Sequence, residues 1–292
     1  MRTAVLGMGT MGSAVSRRLL QKGFSVDVWN RSWGALAPLT VAGATAHGDP
    51  VEAVAAADVV LTMLPTGDAV TEVMFAAGAL EAVGPGAIWV QMGTIGIEAS
   101  VRLAAEVLRR RPDVAFVDAP VSGSREPAST GRLVILASGP DRAQAALEPL
   151  FAALGQRTVW LGPAGGGSRM KLVLNTLLAF EIEAVAEVDA LASRLGVPYT
   201  DIVKTVAGGP LASTVEMTKL AKIESGDHSA DFSLQWALKD LELALKASGV
   251  ETAPVVMAIV ERWRGLVEQG YGGLDVSAAR LGLVGRAEPV AV

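Results

Sequence analysis

Two polar side chains that could act on a substrate stand four residues apart in a long helical pattern. Lys171 and Asn175 follow a run of three glycines, Gly165 to Gly167, and Ser168 is a residue type that often caps a helix. Side chains four residues apart share one face of a helix. With Ser168 as the cap, Lys171 falls in the first turn, where the helix dipole disfavours positive charge and promotes loss of a proton. Lys171 is therefore a candidate acid/base, and a solvated lysine on a helix surface is the alternative.

A glycine motif near the start of the chain could bind phosphate. It stands between a strand-like run, Thr3 to Leu6, and a helical run, Ser13 to Gln21, and it reads Gly7-Met8-Gly9-Thr10-Met11-Gly12. In this context the spacing is the dinucleotide fingerprint. The first glycine permits the tight turn, the second lets the backbone approach the pyrophosphate, and the third allows close helix packing. We therefore predict cofactor binding at all six residues, and an ordinary glycine-rich turn is the alternative.

The end of the second strand, Ser25 to Trp29, distinguishes NAD from NADP. An acidic residue at this point holds the ribose 2′-hydroxyl of NAD, and this chain has Asn30, Arg31 and Ser32 instead. Arg31 can pair with a 2′-phosphate, and its two neighbours can form hydrogen bonds to it. The segment favours NADP as the cofactor, and an exposed loop arginine without a ligand is the alternative.

Alternation of strands and helices continues through the first half of the chain. The further strands are predicted at Val59 to Leu64, Ala87 to Gln91, Val114 to Val117, Leu133 to Ala137 and Thr158 to Leu161. This order is typical of a parallel doubly wound sheet, whose ligands lie beyond the carboxyl ends of the strands. Leu64, Pro65, Thr94 and Ser122 stand at or just past such ends. We take the first three as cofactor contacts, and a plain turn is the alternative for Ser122-Gly123-Ser124.

The pattern after Gly196 and Pro198 is helical throughout. Helices are predicted at Tyr199 to Val206, Leu211 to Ile223, Ser233 to Ala247 and Pro254 to Glu268. The third of these carries an apolar stripe that includes Leu234, Leu238 and Leu241. Lys239 and Asp240 fall off this stripe, so the pattern alone predicts exposure of both to solvent. We expect the last six residues, 287–292, to fray.

These elements predict an α/β fold in three parts. A Rossmann-type dinucleotide-binding domain covers residues 1–163, a long interdomain helix lies within 164–196, and an all-helical domain for substrate binding and dimerisation covers 197–292. The helical run from Ser168 to Leu195 is longer than one small domain needs. Together with the additional packing faces of the helical half, it predicts a homodimer whose interface is formed by the helical half of each chain.

Composition excludes several classes of function. Hydrophobic residues make up 51% of the 292 residues, which predicts a globular protein with a large core. The 25 basic and 30 acidic residues give a net charge of −5, which argues against nucleic acid and anionic membranes as partners. Cysteine is absent and only His47 and His228 offer imidazole, so we expect no metal site. Charges interrupt the apolar stretches and the start does not read as a signal peptide, so we expect a cytoplasmic protein.

Together these motifs resemble the β-hydroxyacid dehydrogenase family, which includes 3-hydroxyisobutyrate dehydrogenase. The resemblance covers nearly the whole chain through four motifs in order: Gly7 to Gly12; Asp118-Ala119-Pro120-Val121-Ser122-Gly123 with Gly131; Gly165 and Gly167 with Lys171 and Asn175; and Lys239-Asp240-Leu241. It implies that Lys171 is the catalytic acid/base and that Asn175 orients the substrate. It also implies that Ser122, Gly123 and Thr94 bind the carboxylate side of the substrate, and that Lys239 helps to close the cofactor site.

Two details of the resemblance concern the substrate. The segment Ser122 to Ala128 is similar to the glyoxylate/succinic semialdehyde reductase branch, in which a serine and then a basic residue follow Ser-Gly. The segment Asn30 to Ser32 agrees with the NADP cofactor of that branch. The family often has Asp-x-Ser-Thr where this chain has Gln91-Met92-Gly93-Thr94. Because the serine hydroxyl is missing at Gly93, the identity of the substrate stays open.

The resemblance implies an NADPH-dependent reductase of small carbonyl acids that also runs in reverse. Imine reductases share the architecture and the Asn-Arg-Ser/Thr segment but usually lack the lysine. The 6-phosphogluconate dehydrogenases have a much longer helical half than this chain can form. An NAD-dependent 3-hydroxyisobutyrate dehydrogenase is a further alternative. A nucleotide-binding module without catalysis is the alternative from another class, and the presence of Lys171 and Asn175 argues against it.

Overall fold

Short apolar runs in the first half of the chain form a six-stranded parallel sheet. The computed structural model describes residues 1–249 and 253–283, and the chain divides into two compact units, Met1–Lys171 and Leu172–Val292. The strands of the sheet are β1 Arg2–Leu6, β2 Ser25–Trp29, β3 Thr45–His47, β4 Val59–Thr62, β5 Ile88–Gln91 and β6 Ala115–Asp118. Their order is β3-β2-β1-β4-β5-β6, and neighbouring strands are parallel. The strand order reverses beside β1, which confirms the predicted doubly wound arrangement.

Burial on both faces explains why these strands are continuous apolar runs. In β4, Val59 and Leu61 belong to one core cluster and Val60 belongs to another. Strands that alternate between two buried faces need apolar residues at every position. The helices of this part of the chain are α1 Thr10–Gln21, α2 Ala37–Val41, α3 Pro50–Val54, α4 Gly67–Thr71, α5 Ala79–Ala82 and α6 Ile97–Arg110.

Three further strands form a separate small sheet. This corrects the prediction that the strands at Leu133 to Ala137 and Thr158 to Leu161 extend the first sheet. They are β7 Val121–Ser122, β8 Leu133–Ala137 and β9 Gly155–Trp160, with the helices α7 Arg125–Thr130 and α8 Gln144–Leu154 between them. Strand β7 runs antiparallel to β8, and Asp118 forms an antiparallel bridge with Ser138. The chain that leaves β6 is therefore paired with β8. Ser122 lies beyond the end of the parallel strand β6, as predicted, and also belongs to β7.

A long helix begins two residues before the predicted start. Helix α9, Gly166–Leu195, contains residues of both units and is followed by Gly196, whose φ of +68° suits the predicted stop. Ser168 is the third residue of this helix, and its hydroxyl donates to Asp118 at 2.8 Å in place of capping the helix. The prediction that Ser168 is the N-cap is therefore wrong. Lys171 lies in the second turn, where the helix dipole acts more weakly than in the first.

The chain beyond α9 is helical, as predicted. The helices are α10 Tyr199–Val206, α11 Thr214–Ser225, α12 Leu234–Ser248 and α13 Pro254–Glu268, followed by 3₁₀ turns at Tyr271–Gly273 and Val276–Leu283. Leu234, Leu238 and Leu241 pack in one core cluster with Ile182 of α9 and Trp263 of α13. Within residues 1–249 and 253–283, no helix is both long and apolar enough to cross a lipid bilayer. The tail that we expect to fray, 287–292, lies outside the described residues.

A buried carboxylate on α9 fixes the packing of α9 against α13. The two oxygens of Glu183 accept hydrogen bonds from Nε and Nη2 of Arg262 at 2.5 Å each. The indole Nε1 of Trp263 donates to the same carboxylate at 2.9 Å. Removing one partner of a buried ion pair leaves the other charge uncompensated, which is strongly destabilising.

We expect Glu183→Gln to lower the free energy of unfolding by about 3 kcal/mol, the lower end of the range for breaking a buried pair. The amide keeps the size of the side chain but places an N–H group against a guanidinium donor. Urea unfolding followed by circular dichroism measures the loss. The matched control is Glu242→Gln, because Glu242 pairs with Arg264 at 2.7 Å on the surface. We expect less than about 1 kcal/mol there, and equal losses in both variants would contradict the argument.

Candidate functional site

Each glycine of the motif after β1 meets a different structural requirement. Gly7 has a φ of +104°, and its N–H donates to the carbonyl of Trp29 at 2.9 Å. A Cβ at Gly12 would lie 1.8 Å from the carbonyl oxygen of Gly7, so only glycine permits this packing of α1 on the turn. A Cβ at Gly9 would meet nothing within 4 Å, so the space beside this backbone is open. This geometry suits a turn that a pyrophosphate approaches.

The start of α1 adds the groups that attract phosphate. No side chain caps its N-terminus, and its first turn contains no acidic residue. Gly9 and Thr10 are exposed, Met11 is half-buried, and Met8 is buried in the core cluster below them. Backbone N–H groups at a helix N-terminus bind anions, and the helix dipole strengthens the attraction. The open backbone at Gly9 and the uncapped helix together fit the pyrophosphate of a dinucleotide.

The segment after β2 divides its side chains between structure and solvent. The Oδ1 of Asn30 accepts from the N–H of Met8 at 2.9 Å, and its Nδ2 donates to the carbonyl of Ser32 at 3.1 Å. Asn30 therefore ties the glycine turn to the loop after β2. Arg31 and Ser32 are exposed, and no carboxylate stands between Trp29 and Ser32. A phosphate at this position would meet a guanidinium and a hydroxyl without a competing negative charge.

The departure at Gly93 has a structural reason. A Cβ at this position would lie 2.2 Å from the carbonyl oxygen of Leu64, so a serine requires a shift of the backbone. The carbonyl of Gly93 accepts from Nε2 of Gln91 at 2.8 Å, and Oε1 of Gln91 lies 2.5 Å from Oγ1 of Thr62. Gln91 and Gly93 thus act together to hold the loop after β5 against the end of β4. Leu64 in turn contacts the glycine turn, because a Cβ at Gly7 would lie 2.9 Å from its Cδ2.

The residues expected at the substrate carboxylate lie on two segments of the first unit. Thr94 is half-buried in the loop after β5. Pro65, a predicted cofactor contact, is exposed in the loop after β4. Ser122 is half-buried in β7, where it is paired with Val134 of β8. Gly123 has a φ of +125°, and a Cβ there would lie 2.9 Å from Leu133. The backbone therefore requires glycine after Ser122. The Ser-Gly pair thus has a structural basis in addition to its predicted role in substrate binding.

The start of α9 is fastened to the strands by a buried carboxylate. Oδ2 of Asp118 accepts from the N–H of Gly165 at 3.1 Å and from the N–H of Ser168 at 2.9 Å. Oδ1 accepts from the hydroxyl of Ser168 at 2.8 Å, and the hydroxyl of Ser100 lies 3.2 Å from the same oxygen. Ser138 donates to Oδ2 at 3.2 Å and accepts from the N–H of Gly167 at 2.9 Å. Lys171 stands three residues after the last of these contacts on α9 and is half-buried.

Burial and hydrogen bonding oppose each other at this carboxyl group. Burial raises the pKa of Asp118 above its ordinary range, and the donors of Ser168, Ser100 and Ser138 act against that rise. From the sequence alone, Asp118 is only part of a motif and no role is predicted for it. The available signal was its place at the end of an apolar strand, because a carboxylate buried there needs several donors.

A second buried carboxylate lies on α12. Nδ2 of Asn175 donates to Oδ2 of Asp240 at 2.5 Å, and Nζ of Lys239 lies 2.9 Å from Oδ1. Asn175 and Asp240 are only 7% and 3% exposed. The prediction that Lys239 and Asp240 are both exposed is therefore wrong, because Asp240 is buried and Lys239 is half-buried. This carboxylate accepts a hydrogen bond from an amide on α9 and forms an ion pair with the neighbouring ammonium, and the apolar pattern of α12 does not reveal the partner on α9. Nζ of Lys239 also lies 5.9 Å from the ring centroid of Trp236, within cation–π range.

Two protein domain families match successive parts of the chain. Residues 2–162 match the NAD binding domain of 6-phosphogluconate dehydrogenase, and residues 165–281 match the NAD-binding family of NADP-dependent 3-hydroxyisobutyrate dehydrogenase. The first match alone covers more than half of the chain. Both descriptions name a nicotinamide cofactor, which agrees with the glycine turn and the uncapped helix described above.

Individual relatives match over nearly their full length. Glyoxylate/succinic semialdehyde reductase 1 of Arabidopsis thaliana is 32% identical over 282 residues, which are 95% of this chain and 96% of the relative. The NAD-dependent L-serine dehydrogenase of Pseudomonas aeruginosa is 31% identical over 287 residues, with 95% and 96% covered. The crystal structure of 3-hydroxyisobutyrate dehydrogenase from Salmonella typhimurium superposes with a TM-score of 0.88 at 25% identity and covers 96% of this chain and 99% of that one. The chain therefore belongs to the β-hydroxyacid dehydrogenase family of NAD(P)-dependent oxidoreductases.

Proposed function

We propose that this enzyme is an NADPH-dependent reductase of small carbonyl acids, of the glyoxylate or succinic semialdehyde type, with Lys171 as its acid/base. The observation that carries the proposal is the packing of the start of α9. A Cβ at Gly167 would lie 2.1 Å from the carbonyl oxygen of Leu136, 2.9 Å from that of Asp118 and 3.1 Å from Cδ of Pro120. The helix that bears Lys171 is thus in backbone contact with the segment that leads to Ser122.

The proposed roles of the residues follow from their chemistry. The nicotinamide, when bound, supplies the hydride for reduction and accepts it in oxidation. Protonated Lys171 donates its proton to the carbonyl oxygen during reduction, and neutral Lys171 accepts the hydroxyl proton in the reverse direction. The Ser122 hydroxyl, the Gly123 N–H and the Thr94 hydroxyl hold the substrate carboxylate and so fix the orientation of the carbonyl group. Asn175, whose amide donates a hydrogen bond to Asp240, orients the substrate.

The names of relatives support the substrate class and leave one alternative. The Arabidopsis thaliana relative acts on glyoxylate and succinic semialdehyde by name, and this chain shares the Ser-Gly-Ser-basic segment at Ser122 to Arg125. The Pseudomonas aeruginosa relative is named as an NAD-dependent enzyme of L-serine. NAD-dependent oxidation of a small 3-hydroxy acid is therefore the second candidate. The exposed Arg31 and the lack of an acidic residue after β2 favour the first.

Cofactor preference is expected to depend on Arg31. We expect the unmutated enzyme to have a higher kcat/KM with NADPH than with NADH, because Arg31 forms a charge-assisted pair with the 2′-phosphate. A hydrogen bond to a charged group contributes ~1.5–3 kcal/mol, so Arg31→Ala is expected to lower the NADPH/NADH ratio by about 10-fold or more. The control is Arg109→Ala, since Arg109 is an exposed arginine paired with Glu106. An equal or higher kcat/KM with NADH than with NADPH in the unmutated enzyme would contradict this preference.

Lys171→Ala is expected to reduce kcat by about 10²-fold or more, the usual scale for removing an acid/base. We expect the dissociation constant of NADPH to change by less than about threefold, because the glycine turn and Arg31 carry cofactor binding. The measurements are steady-state turnover with NADPH on glyoxylate, succinic semialdehyde and other aldehyde acids, and NADPH titration by fluorescence.

Lys22→Ala, on an exposed lysine after α1, is the matched control and is expected to keep full turnover. Full turnover in Lys171→Ala would remove the acid/base assignment. Loss of NADPH binding in that variant would assign Lys171 to the cofactor and not to the substrate. NADPH binding by the unmutated chain without turnover on any substrate would favour a nucleotide-binding module.

A homodimer is a further part of the proposal, and α9 supplies its support. One face of this helix bears apolar side chains at successive intervals of four, three and four residues, a pattern that repeats every 11 residues and keeps to one side of a straight helix. These residues are Val173, Leu177, Phe180, Ala184, Val188, Leu191 and Leu195. Apart from Ala184 they are between 38% and 68% exposed in the single chain. An apolar stripe of this length is typical of a helix that packs against another protein surface.

Light scattering on the purified enzyme is expected to give twice the chain mass at micromolar concentration. Leu177→Glu places a charge in the middle of the stripe and is expected to shift the mass toward that of one chain. Val41→Glu is the control, because Val41 is 90% exposed in the first unit and does not belong to the stripe. A single-chain mass for the unmutated protein would contradict the dimer. The cytoplasmic location stays a prediction from the sequence.

A further inference from the structure

Asp118 joins the two segments that carry the proposed substrate and proton-transfer groups. Its backbone belongs to the strand side: the N–H of Asp118 donates to the carbonyl of Ser138 at 2.9 Å, and the N–H of Ser138 donates back at 2.8 Å. The next residues along the chain are held in the same way, because Leu136 donates to the carbonyl of Pro120 at 2.9 Å. Ser122 follows in β7. The position of Asp118 is thus fixed to the segment that ends at Ser122.

The side chain of Asp118 belongs to the helix side. The first N–H groups of α9 have no partners within the helix and need them from elsewhere. Gly166 donates to the carbonyl of Pro163 at 3.1 Å, Gly167 donates to Ser138, and Ser168 donates to Asp118. Asp118 also accepts from Gly165, the residue that precedes the helix. A negative charge at this end of a helix is favourable, so the carboxylate both satisfies the donors and complements the dipole.

We propose that Asp118 is a positioning residue of the reaction, which sets the place of Lys171 relative to the Ser122–Gly123 segment. The proposal rests on the proposed function, since it acts through Lys171. Both groups stand close in sequence to the residues that form this contact: Ser122 is four residues after Asp118, and Lys171 is three residues after Ser168. Displacement of the acid/base by about 1 Å can lower the rate 10²-fold, so the fastening of α9 affects catalysis without any contact to the substrate.

The arrangement of donors predicts different results for two substitutions of Asp118. The partners of Oδ2 include two backbone N–H groups, which can only donate. The partners of Oδ1 are the hydroxyls of Ser168 and Ser100, which can rotate and accept. Asn at 118 can therefore keep its oxygen toward the helix and place its NH₂ toward the hydroxyls. Asp118→Asn preserves the fastening, whereas Asp118→Ala removes it.

The experiment compares these variants in turnover of glyoxylate and succinic semialdehyde with NADPH. We expect Asp118→Ala to lower kcat about 10-fold to 100-fold per NADPH-binding site, while the dissociation constant of NADPH changes less than about threefold. We expect Asp118→Asn to restore kcat to within about fivefold of the parent, since the hydrogen bonds to α9 are retained. Glu183→Gln is the control for lost stability, because it breaks a buried contact on the same helix beyond Lys171 and is expected to keep the parent kcat.

Two outcomes overturn the proposal. The first is an Asp118→Ala variant that binds one NADPH per chain and has a kcat within twofold of the parent value. The second is an Asp118→Asn variant no faster than Asp118→Ala. If Asp118→Ala does not fold, Ser138→Ala decides, because it removes the acceptor of Gly167; we expect a threefold to tenfold lower kcat, and an unchanged kcat overturns the proposal. Lys171→Ala in the same assay separates the two levels. Full turnover by Lys171→Ala refutes the proposed function. If Lys171→Ala loses turnover while Asp118→Ala keeps the parent kcat, only the present inference is refuted.

Discussion

The buried start of α9 imposes the constraint on which much of the first unit depends. A helix N-terminus has donors that the helix itself cannot satisfy, and in a buried place water is not there to replace the missing partners. Three different groups meet this need: a carbonyl of Pro163, the hydroxyl of Ser138 and the carboxylate of Asp118. Pro163 directly precedes α9, whereas Ser138 and Asp118 stand far earlier in the chain. The requirement of one helix end therefore determines residue types on strands far away in the sequence.

Close backbone contact is the second constraint, and glycine is its solution. At Gly12, Gly93 and Gly167 a Cβ would lie within 2.2 Å of a carbonyl oxygen, so the fold brings main chain against main chain at all three places. These contacts join α1 to its turn, the loop after β5 to the end of β4, and α9 to β8. Gly12, which is a predicted cofactor contact, is thus also a packing residue. Gly9 differs from them, because the space beside its backbone is open.

Periodicity accounts for the parts of the fold that the sequence predicts well. Buried parallel strands such as β4 and long helices such as α13 have strong local patterns, and their positions agree with the structure within a few residues. Strand β7 was not predicted because two residues contain no period. The capping role of Ser168 was predicted wrongly, because its partner Asp118 stands 50 residues earlier. Asp240 falls off the apolar stripe of α12, which predicts exposure. It is buried because its hydrogen-bond donor, Asn175, lies on another helix. Errors thus fall where a polar group finds its partner far along the chain.

The contact between Gly93 and Leu64 also limits the routes by which this enzyme can change. A serine at position 93 requires a shift of the backbone, because its Cβ would lie 2.2 Å from the carbonyl oxygen of Leu64. The loop after β4 must first move away, and the link from Gln91 to the carbonyl of Gly93 must be rearranged. The effects of substitutions at Leu64, Gln91 and Gly93 are therefore expected to depend on one another. We therefore expect an exchange of Gln91 and Gly93 for Asp and Ser to need a compensating change in the loop after β4, so that the two loops change together.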